Sequence, residues 1–576
     1  MTSLPPTPAA SPPGLEVEVL PEETHAEAQA TATRAILAAP DLRLMFPAAD
    51  LWVVGFDLAD KGDDDGPRFT ATVVDTVTGR AALVDGWLDD LGSPRTTPLG
   101  HQRPPTDDEH AWAVSVLADD RHLGPLLAAD GTTTYRPTPP LANVEHPDGT
   151  VDRVIAVGIR TAAGAHRVAG VRTGDGEVFP DPPGAAPPSD RECGPPPAPL
   201  TGGPAAPGES QARVRVRRGD DVLWELVVVR PRASSGTNGS GVELRAVSYK
   251  GQQVLFRAHV PIATVAYEHG AYEHGADEHG ASEGGPGPTS RDWLHEESGF
   301  EAEGEEAVPG FRLCPTAPAT ILDREVDGGG FRGVALWVEG DEVVIASQLQ
   351  AGWYRYVSQW RLAADGTIRP RIGFAAAANP GTWRSHVHHA YWRLDLDVLE
   401  PATNVVQEYN DPPVQALSNW HTVKVEVRRP RSSAHGRYWR VRNIRASQGY
   451  SLRPGPADGT ADVFGAGDVW VLRYHSDELD DGEGTTADRV RARPGLDRLM
   501  SGESVERQDL VLWYGVHVRH QGAGEADGDG AKGAPALVGP DLVPYQWKDA
   551  PLGPVAFAPL APPTDEELRP PAPPSA

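Results

Sequence analysis

The chain has 576 residues, including 62 glycines and 57 prolines, and a formal net charge of -29. That length allows several domains or one very large β-architecture with appendages, and the glycine and proline content favours a β-rich, loop-rich protein. The acidic excess argues against binding to nucleic acid or to an anionic membrane, so we expect neither partner.

The two cysteines, Cys193 and Cys314, exclude a disulfide scaffold and leave room for one bridge at most. The N-terminal stretch has no basic region followed by an apolar region, and no later segment reaches transmembrane length. We therefore expect a cytoplasmic protein.

The N-terminal part of the chain predicts two small α+β domains. Residues 1–18 are proline-rich and predict a disordered tail. Residues 19–100 form the first expected domain, with a helix over 22–38 and strands over 51–57 and 69–75. Residues 101–180 form the second, with a helix over 106–117 and a strand over 154–158. The proline-rich stretch 181–209 predicts a linker.

From residue 210 onward strand patterns dominate, and their density to residue 550 predicts a mainly β fold with a large antiparallel β-sandwich. A proline-rich tail, 551–576, follows. The predicted strands that define this domain cover residues 213–217, 222–229, 242–248, 423–427 and 469–474.

One stretch of this domain carries metal-binding residue types. On a β-strand His386 and His388 share a face, and two imidazoles on a rigid strand supply half of a copper or zinc site. Asp395 and Asp397 share a face in the same way. A repeat of the pattern Tyr-Glu-His-Gly-Ala brings three more imidazoles, which the glycine content assigns to a duplicated loop rather than to metal: His269, His274 and His279.

Four separated parts of the sequence, the first made of two stretches, resemble conserved stretches of the copper amine oxidases, which depend on topaquinone, a quinone derived from a tyrosine. Residues 438–443 and 470–479 resemble "RYWKVVNP" and "LWVTPYNPDEL", and residues 509–520 resemble "DIVVWHTFGLTH". Residues 384–398 resemble "HQHxFxxRLDxDxDG", and residues 344–368 resemble "VISFxxTVGNYDYxxxWxFxxDGTI". The resemblance implies the supersandwich fold of that family, preceded by two small α+β domains.

By this resemblance the copper ligands are His386, His388 and His520, which agrees with the need of a His-x-His pair for a distant third ligand. His389 and His517 are then not ligands, and lie on the opposite face or have a structural role. The resemblance also implies a peripheral site for a divalent ion such as calcium, formed by carboxylates and backbone carbonyls. Its positions are Asp395, Leu396, Asp397, Asp509 and Leu510.

Tyr354 matches the tyrosine that the family converts to topaquinone. The implied activity is the oxidation of a primary amine by dioxygen and water to an aldehyde, ammonia and hydrogen peroxide. Tyr267 matches the residue that hydrogen-bonds the cofactor, and Tyr356 keeps the second tyrosine of the motif. The chain departs from the family at Trp353, which replaces an asparagine, and at Arg355, which replaces an acidic residue.

The catalytic base is ambiguous in the sequence. Depending on the position of one gap, His295, Glu296 or Glu297 occupies the place of the family's aspartate, and a partly buried glutamate is the nearest substitute.

Two further functions stay open at this stage. In one, Tyr354 is unmodified and Arg355 recruits an acidic substrate to a copper oxidase or oxygenase. In the other, the chain is a non-catalytic binding or structural protein. The resemblance implies a homodimer, with a small-molecule amine and dioxygen as substrates.

Overall fold

The computed structural model describes the chain over residues 14–22, 24–46, 51–59, 68–75, 80–99, 104–105, 107–137, 140–141, 144–145, 151–180, 194–198, 208–267, 289–324, 326–378, 385–414, 418–486, 489–520 and 537–548. The Tyr-Glu-His-Gly-Ala repeat beyond Tyr267, Cys193 and the predicted C-terminal tail lie outside these ranges.

The N-terminal part of the chain forms one separate strand and then a small α+β unit. Helix α1 packs through Ala32 and Ile36 on the four-stranded sheet that follows it in the chain, and the strands of this sheet pair in sequence order. The elements are β1 (Leu15–Pro21), α1 (Thr24–Ala38), α2 (Pro40–Met45), β2 (Leu51–Ala59), β3 (Arg68–Asp75), β4 (Ala81–Trp87) and β5 (Asp90–Leu99).

A second small α+β unit follows. Its longer helix packs through Ala113 and Leu117 against Ile155 and Val157 of a four-stranded sheet. The elements are α3 (Asp107–Asp119), α4 (Gly124–Leu127), β6 (Thr133–Tyr135), β7 (Val144–Glu145), β8 (Val151–Asp152), β9 (Val154–Arg160), β10 (His166–Arg172) and β11 (Val178–Phe179).

In the remainder of the described chain the regular structure is mainly β-strand, with two short α-helices, α5 (Ile321–Arg324) and α6 (Arg489–Ala492), and three short 3-10 helices. The strands are β12 (Gln211–Arg218), β13 (Asp221–Val229), β14 (Glu243–Tyr249), β15 (Gln252–Tyr267), β16 (Thr289–Arg291), β17 (Glu305–Val308), β18 (Phe311–Leu313), β19 (Val334–Glu339), β20 (Glu342–Ala351), β21 (Tyr354–Ala363), β22 (Ile368–Ala376), β23 (His386–Asp395), β24 (Asn404–Tyr409), β25 (Trp420–Val423), β26 (Val427–Arg429), β27 (Tyr438–Asn443), β28 (Gly449–Arg453), β29 (Val469–Arg473), β30 (Leu510–His520) and β31 (Asp541–Tyr545).

These strands form two large sheets that pack face to face. The first sheet has the order β1-β12-β13-β14-β15-β23-β30-β29-β26, with β16 on β15, and the second has the order β17-β18-β19-β20-β21-β22-β31-β28-β27-β24-β25. One buried apolar cluster contains residues from both. Buried indoles also bridge the sheets: Trp224 Nε1 donates to the carbonyl of Ala363 (2.9 Å), and Trp360 Nε1 donates to that of Val242 (2.8 Å). The predicted mainly β sandwich is therefore confirmed.

Two sequence-based predictions of local structure are wrong. Residues 15–18 are not a disordered tail but part of β1, because Leu15, Val17 and Val19 alternate with glutamates and one of these, Glu18, faces Arg215 of β12 at 3.5 Å. Residues 423–427 are not one strand, because the chain passes there from the second sheet (β25) to the first (β26).

Part of the predicted linker, residues 194–198, packs on the sandwich. The amide of Ala378 donates to the carbonyl of Pro195 (2.7 Å), and the amide of Ala198 donates to Asp327 (2.7 Å). No helix in the described part of the chain is long and apolar enough to cross a membrane.

Candidate metal and tyrosine site

Three polar side chains lie side by side on three adjacent inner strands of the first sheet, at the ends of those strands. Tyr267 ends β15, His386 begins β23 and His520 ends β30, and the register sets His386 directly opposite both of the others. His388 lies two residues further along β23 and therefore on the same face. The pairing of strand ends thus brings together imidazoles that are far apart in the sequence.

The three predicted copper ligands form a contiguous group. The ring centroid of His386 lies 4.9 Å from that of His388 and 4.8 Å from that of His520. His386 and His388 are buried and His520 is half-buried. Burial lowers the pKa of His388 and of His520, and the neighbouring imidazoles add to the effect at His388, so both rings are held in the neutral form that binds metals.

The group fits a metal ion in residue type, and its rings lie side by side. His520 Nδ1 is buried without a hydrogen-bond partner, as expected for a nitrogen that faces an ion. The nitrogens of the three rings do not all lie within 4.8 Å of one another; among the described residues only an acidic group meets that distance. Rotation of the rings about their side-chain torsions is therefore required to bring three nitrogens to one ion.

Tyr354 reaches this group from the opposite sheet. It begins β21 after a two-residue hairpin turn, Gly352-Trp353, in which Gly352 has a φ of 58°. A glycine in the first turn position with positive φ suits the turns that join adjacent strands tightly. The Tyr354 ring lies 4.7 Å from that of His388 and 5.3 Å from that of His386, and its hydroxyl is hydrogen-bonded to that of Tyr267.

Tyr354 is only 1% exposed. Burial raises its pKa well above the ordinary value, and Tyr267 and Asp292 raise it further. The apoprotein therefore holds a protonated phenol between the two sheets, against two imidazoles.

The same arrangement of strands occurs in a known enzyme structure. A copper-containing benzylamine oxidase from Hansenula polymorpha is similar over 94% of this chain and 98% of its own, with a TM-score of 0.51 and 12% sequence identity. The chain has the copper amine oxidase fold. The fold expected from the four sequence stretches is thereby confirmed.

Other solved structures with this fold are similar over comparable lengths. An amine oxidase from Aspergillus nidulans has 14% identity and a TM-score of 0.47 over 93% of this chain and 91% of its own. The lysyl oxidase of Pichia pastoris has 12% identity and a TM-score of 0.49 over 93% and 92%. No protein-family model matches the sequence, and no curated protein is detectably similar to it.

Within the copper amine oxidase fold, the arginine next to Tyr354 has a local partner. Arg355 is buried and makes a two-point ion pair with Asp327, with both N–O distances at 2.7 Å. Its Nη1 also donates to the carbonyls of Gly352 (3.1 Å) and Tyr354 (3.0 Å). Because its donors are occupied within the chain, the guanidinium fixes the Tyr354 turn and is not available to an acidic substrate.

Trp353 lies beside Tyr354 in the turn. It is half-buried, and its ring centroid is 5.9 Å from that of Tyr354. The indole therefore fills space beside the Tyr354 ring.

Asp292, which the sequence reasoning missed, is a buried carboxylate that Tyr356 connects to His388. It follows β16 and is 1% exposed, it accepts a hydrogen bond from Tyr356, and it accepts another from Ser290 Oγ (2.9 Å). Burial raises its pKa to about 6, against the lowering effect of these two hydroxyls. The Tyr356 hydroxyl also lies 3.3 Å from His388 Nδ1.

A signal for Asp292 was present in the sequence. It directly precedes Trp293, the start of the stretch that resembles the family's aspartate motif, whereas the alignment of that motif favours residues 295–297. In the structure Arg291 holds this segment through a buried two-point ion pair with Asp481, with both distances at 2.6 Å. This ion pair anchors Arg291 and thereby fixes the segment that carries Asp292.

The three predicted bases have other partners. Glu297 is paired with Arg230 at 3.0 and 2.5 Å. Glu296 accepts from Trp293 Nε1 (2.9 Å) and pairs with Arg136 of the second small unit (2.6 Å). His295 Nδ1 lies 3.4 Å from the carbonyl of Asn238. Both glutamates are therefore engaged in ion pairs with guanidinium groups.

The predicted peripheral group assembles as expected from the sequence. Asp395, Asp397 and Asp509 place carboxylate oxygens within 4.8 Å of one another. Asp395 and Asp397 are buried at the end of β23, and Asp509 is half-buried just before Leu510, the first residue of β30. Leu396 lies between Asp395 and Asp397, and Leu510 directly follows Asp509. The backbone carbonyls of both leucines therefore belong to the segments that carry the three aspartates.

Proposed function

We propose that this protein is a copper-dependent oxidase of primary amines, which converts an amine, dioxygen and water into an aldehyde, ammonia and hydrogen peroxide. The observation that supports this most directly is the contact of Tyr354 with His386 and His388 across the two sheets. A phenol with no access to bulk water, beside a group of neutral imidazoles, is suited to oxidative modification at a metal.

In this proposal His386, His388 and His520 hold the copper ion. The quinone derived from Tyr354 supplies the electrophilic carbonyl that a primary amine attacks. Tyr267 orients the ring of Tyr354 through the hydrogen bond between their hydroxyls. Tyr356 is hydrogen-bonded to Asp292 and lies near His388, so it links Asp292 to the three histidines.

We assign the base to Asp292 in place of His295, Glu296 or Glu297. A carboxylate with a pKa of about 6 is mostly ionised at neutral pH and yet basic enough to accept a proton from the substrate carbon. Its hydrogen-bond partners are hydroxyls rather than cations, and burial outweighs their lowering effect on its pKa.

Arg355 and Trp353 shape the site without taking part in chemistry. The Arg355–Asp327 pair fixes the turn that carries Tyr354, and Trp353 narrows the space beside the ring. The proposal extends to a divalent ion, with calcium as the candidate, at Asp395, Asp397 and Asp509. A homodimer stays a prediction from the family resemblance.

The test is copper loading of the metal-free protein in air. We expect a coloured protein that reacts with phenylhydrazine, a mass change confined to the peptide containing Tyr354, and peroxide release when amines are added. A copper-loaded protein that stays colourless with an unmodified Tyr354 would indicate oxidase chemistry without a quinone. A protein that takes up no copper at His386, His388 and His520 would leave only a binding or structural role.

A further inference from the structure

A proline-rich segment lies beside the turn that carries Tyr354. Residues 194–198 have the sequence Gly-Pro-Pro-Pro-Ala and lie between the second small unit and β12 in the chain. Proline has a fixed φ and no N–H group, and a residue before proline is confined to extended conformations. Residues 194–198 therefore form a stiff, extended strap, and within residues 195–198 the amide of Ala198 is the one backbone donor.

The C-terminal end of the strap completes the ion pair next to Tyr354. The amide of Ala198 donates to Asp327 Oδ2 at 2.7 Å, and the same oxygen accepts from Arg355 Nη2 at 2.7 Å. Because the Asp327 side chain is 0% exposed, water cannot reach it to replace a lost donor. Arg355 in turn donates to the carbonyls of Gly352 and Tyr354. A chain of hydrogen bonds therefore leads from the strap through the ion pair to the turn.

The N-terminal end of the strap holds the chain directly after β22. The amide of Ala378 donates to the carbonyl of Pro195 at 2.7 Å, and the neighbouring amide of Ala377 donates to the carbonyl of Trp353 at 2.8 Å. This end of the strap therefore fixes the residues that hydrogen-bond the Tyr354 turn at a second place.

Gly194 brings the strap into close contact with the sheet. Its φ is 109°, and a Cβ atom built on it would lie 2.1 Å from the carbonyl oxygen of Ala376. Ala376 is the cross-strand partner of Tyr354 in the pairing of β21 with β22. A side chain at residue 194 would push the strap away from this strand, so the close contact requires glycine.

We propose that the strap is a positioning element for Tyr354. It holds the Arg355–Asp327 pair at one end and the chain after β22 at the other, and these two groups bind the three successive carbonyls of the turn. The strap thereby sets the position of the Tyr354 ring against His386 and His388. This role rests on the proposed function, because ring placement matters to the reaction only if Tyr354 is the residue that is oxidised. A displacement of about 1 Å at a reacting group costs about 100-fold in rate.

Hydrogen–deuterium exchange of the metal-free full chain tests the strap without copper or quinone. Ala198→Pro removes the donor to Asp327, whereas Ala198→Gly keeps it and is the matched control. Exchange at residues 352–356 and 377–378 is expected to rise about tenfold or more in Ala198→Pro, because a hydrogen bond to a charged group is lost. It should stay at the parent level in Ala198→Gly. Residues 438–453, elsewhere in the second sheet, should exchange alike in all three proteins.

Copper loading in air tests the consequence for the site. Ala198→Pro should take up as much copper as the parent and develop the phenylhydrazine-reactive colour roughly 10- to 100-fold more slowly, whereas Ala198→Gly should match the parent. General destabilisation would lower copper uptake as well, so full uptake with slow colour formation identifies a positioning role.

Two results would overturn the proposal: exchange at the parent level at residues 352–356 in Ala198→Pro, or colour formation at the parent rate. A parent protein that forms no quinone would refute the proposed function, and the exchange measurement would still decide whether the strap positions the turn. Should Ala198→Pro fail to fold, Pro196→Gly/Pro197→Gly slackens the strap and keeps both hydrogen bonds. Faster exchange at residues 352–356 is expected in that variant, and unchanged exchange would overturn the proposal.

Discussion

The hydroxyl of Tyr267 and the hydroxyl of Tyr354 are hydrogen-bonded to each other across the interior of the sandwich. Tyr267 belongs to the first sheet, in register with His386, and Tyr354 begins a strand of the second. This contact joins the two sheets beside the imidazole group.

Replacing Tyr354 with phenylalanine is expected to abolish colour, phenylhydrazine reactivity and peroxide formation while leaving copper binding intact. The change should lower stability by only about 1 kcal/mol, since one hydrogen bond is lost. Tyr267→Phe is the matched control: the same bond is lost, but colour should still form. Metal analysis, visible spectra and thermal melts measure these outcomes. A Tyr354→Phe protein that still turns pink would place the quinone on another residue.

Loss of His520 is expected to weaken copper binding at the first group by more than about 100-fold, because removal of an outer partner of a ligand already costs 10–100-fold. The measurement is copper competition against a chelator for His520→Gln. Arg519→Gln, a change at the neighbouring exposed position, serves as the control. If His520→Gln binds as tightly as the unaltered protein, His520 is not a ligand.

Asp292 is expected to control the pH dependence of activity. Because its pKa is about 6, the rate with a saturating amine should rise as the pH increases through about 6. Asp292→Asn should lose most activity at every pH, whereas Glu296→Gln should stay within about tenfold of the parent. Near-complete loss in Glu296→Gln, with activity kept in Asp292→Asn, would restore the glutamate as the base.

Asp292 also has a predicted effect on stability. Its folded pKa lies above the ordinary value of 3.8, so the folded state binds more protons than the unfolded state between pH 4 and 6. Its contribution to stability is therefore greatest in acid and falls as the pH rises through about 6. Asp292→Asn removes this loss. The free energy of unfolding of the variant, compared with that of the parent, should therefore increase by up to about 3 kcal/mol between pH 4 and pH 7. Denaturant unfolding at the two pH values measures the difference.

The Arg355–Asp327 pair is expected to be structural. Arg355→Met leaves the buried Asp327 carboxylate unpaired and should cost about 3–5 kcal/mol. Arg445→Met, which breaks an exposed pair with Glu400 at 3.1 Å, should cost about 0–1 kcal/mol. Denaturant unfolding compares the two. A stable Arg355→Met protein that had lost affinity for an acidic substrate would instead support a recruiting role.

Calcium is expected to stabilise the folded protein through the three aspartates. At a concentration about 100 times the dissociation constant, one ion adds about 2.7 kcal/mol. Thermal melts with calcium and with a chelator should differ for the parent and coincide for Asp397→Asn. A calcium-induced shift of equal size in Asp397→Asn would remove these residues from the site.

Local patterns determined much of this molecule. Alternation along residues 386–397 of the sequence was enough to predict His386 and His388 on one face and Asp395 and Asp397 on one face, because strand geometry has a period of two. The motif order was enough to predict the fold. The prediction that residues 1–18 form a disordered tail was wrong for Leu15, Val17 and Val19. These residues lie in a strand whose partner, β12, is far away in the sequence.

Only the tertiary structure decided which side chains meet. Asp292 becomes a candidate base because burial raises its pKa, and burial depends on the packing of two sheets. Arg355 is occupied because Asp327 lies beside it, and His389 faces His517 because β23 and β30 pair in one register. The sequence by itself determined the strands and the residue types they carry, through the chemistry of neighbours along the chain. Partners, solvent exclusion and proton affinities came from contacts between residues distant in the sequence, which no local pattern encodes.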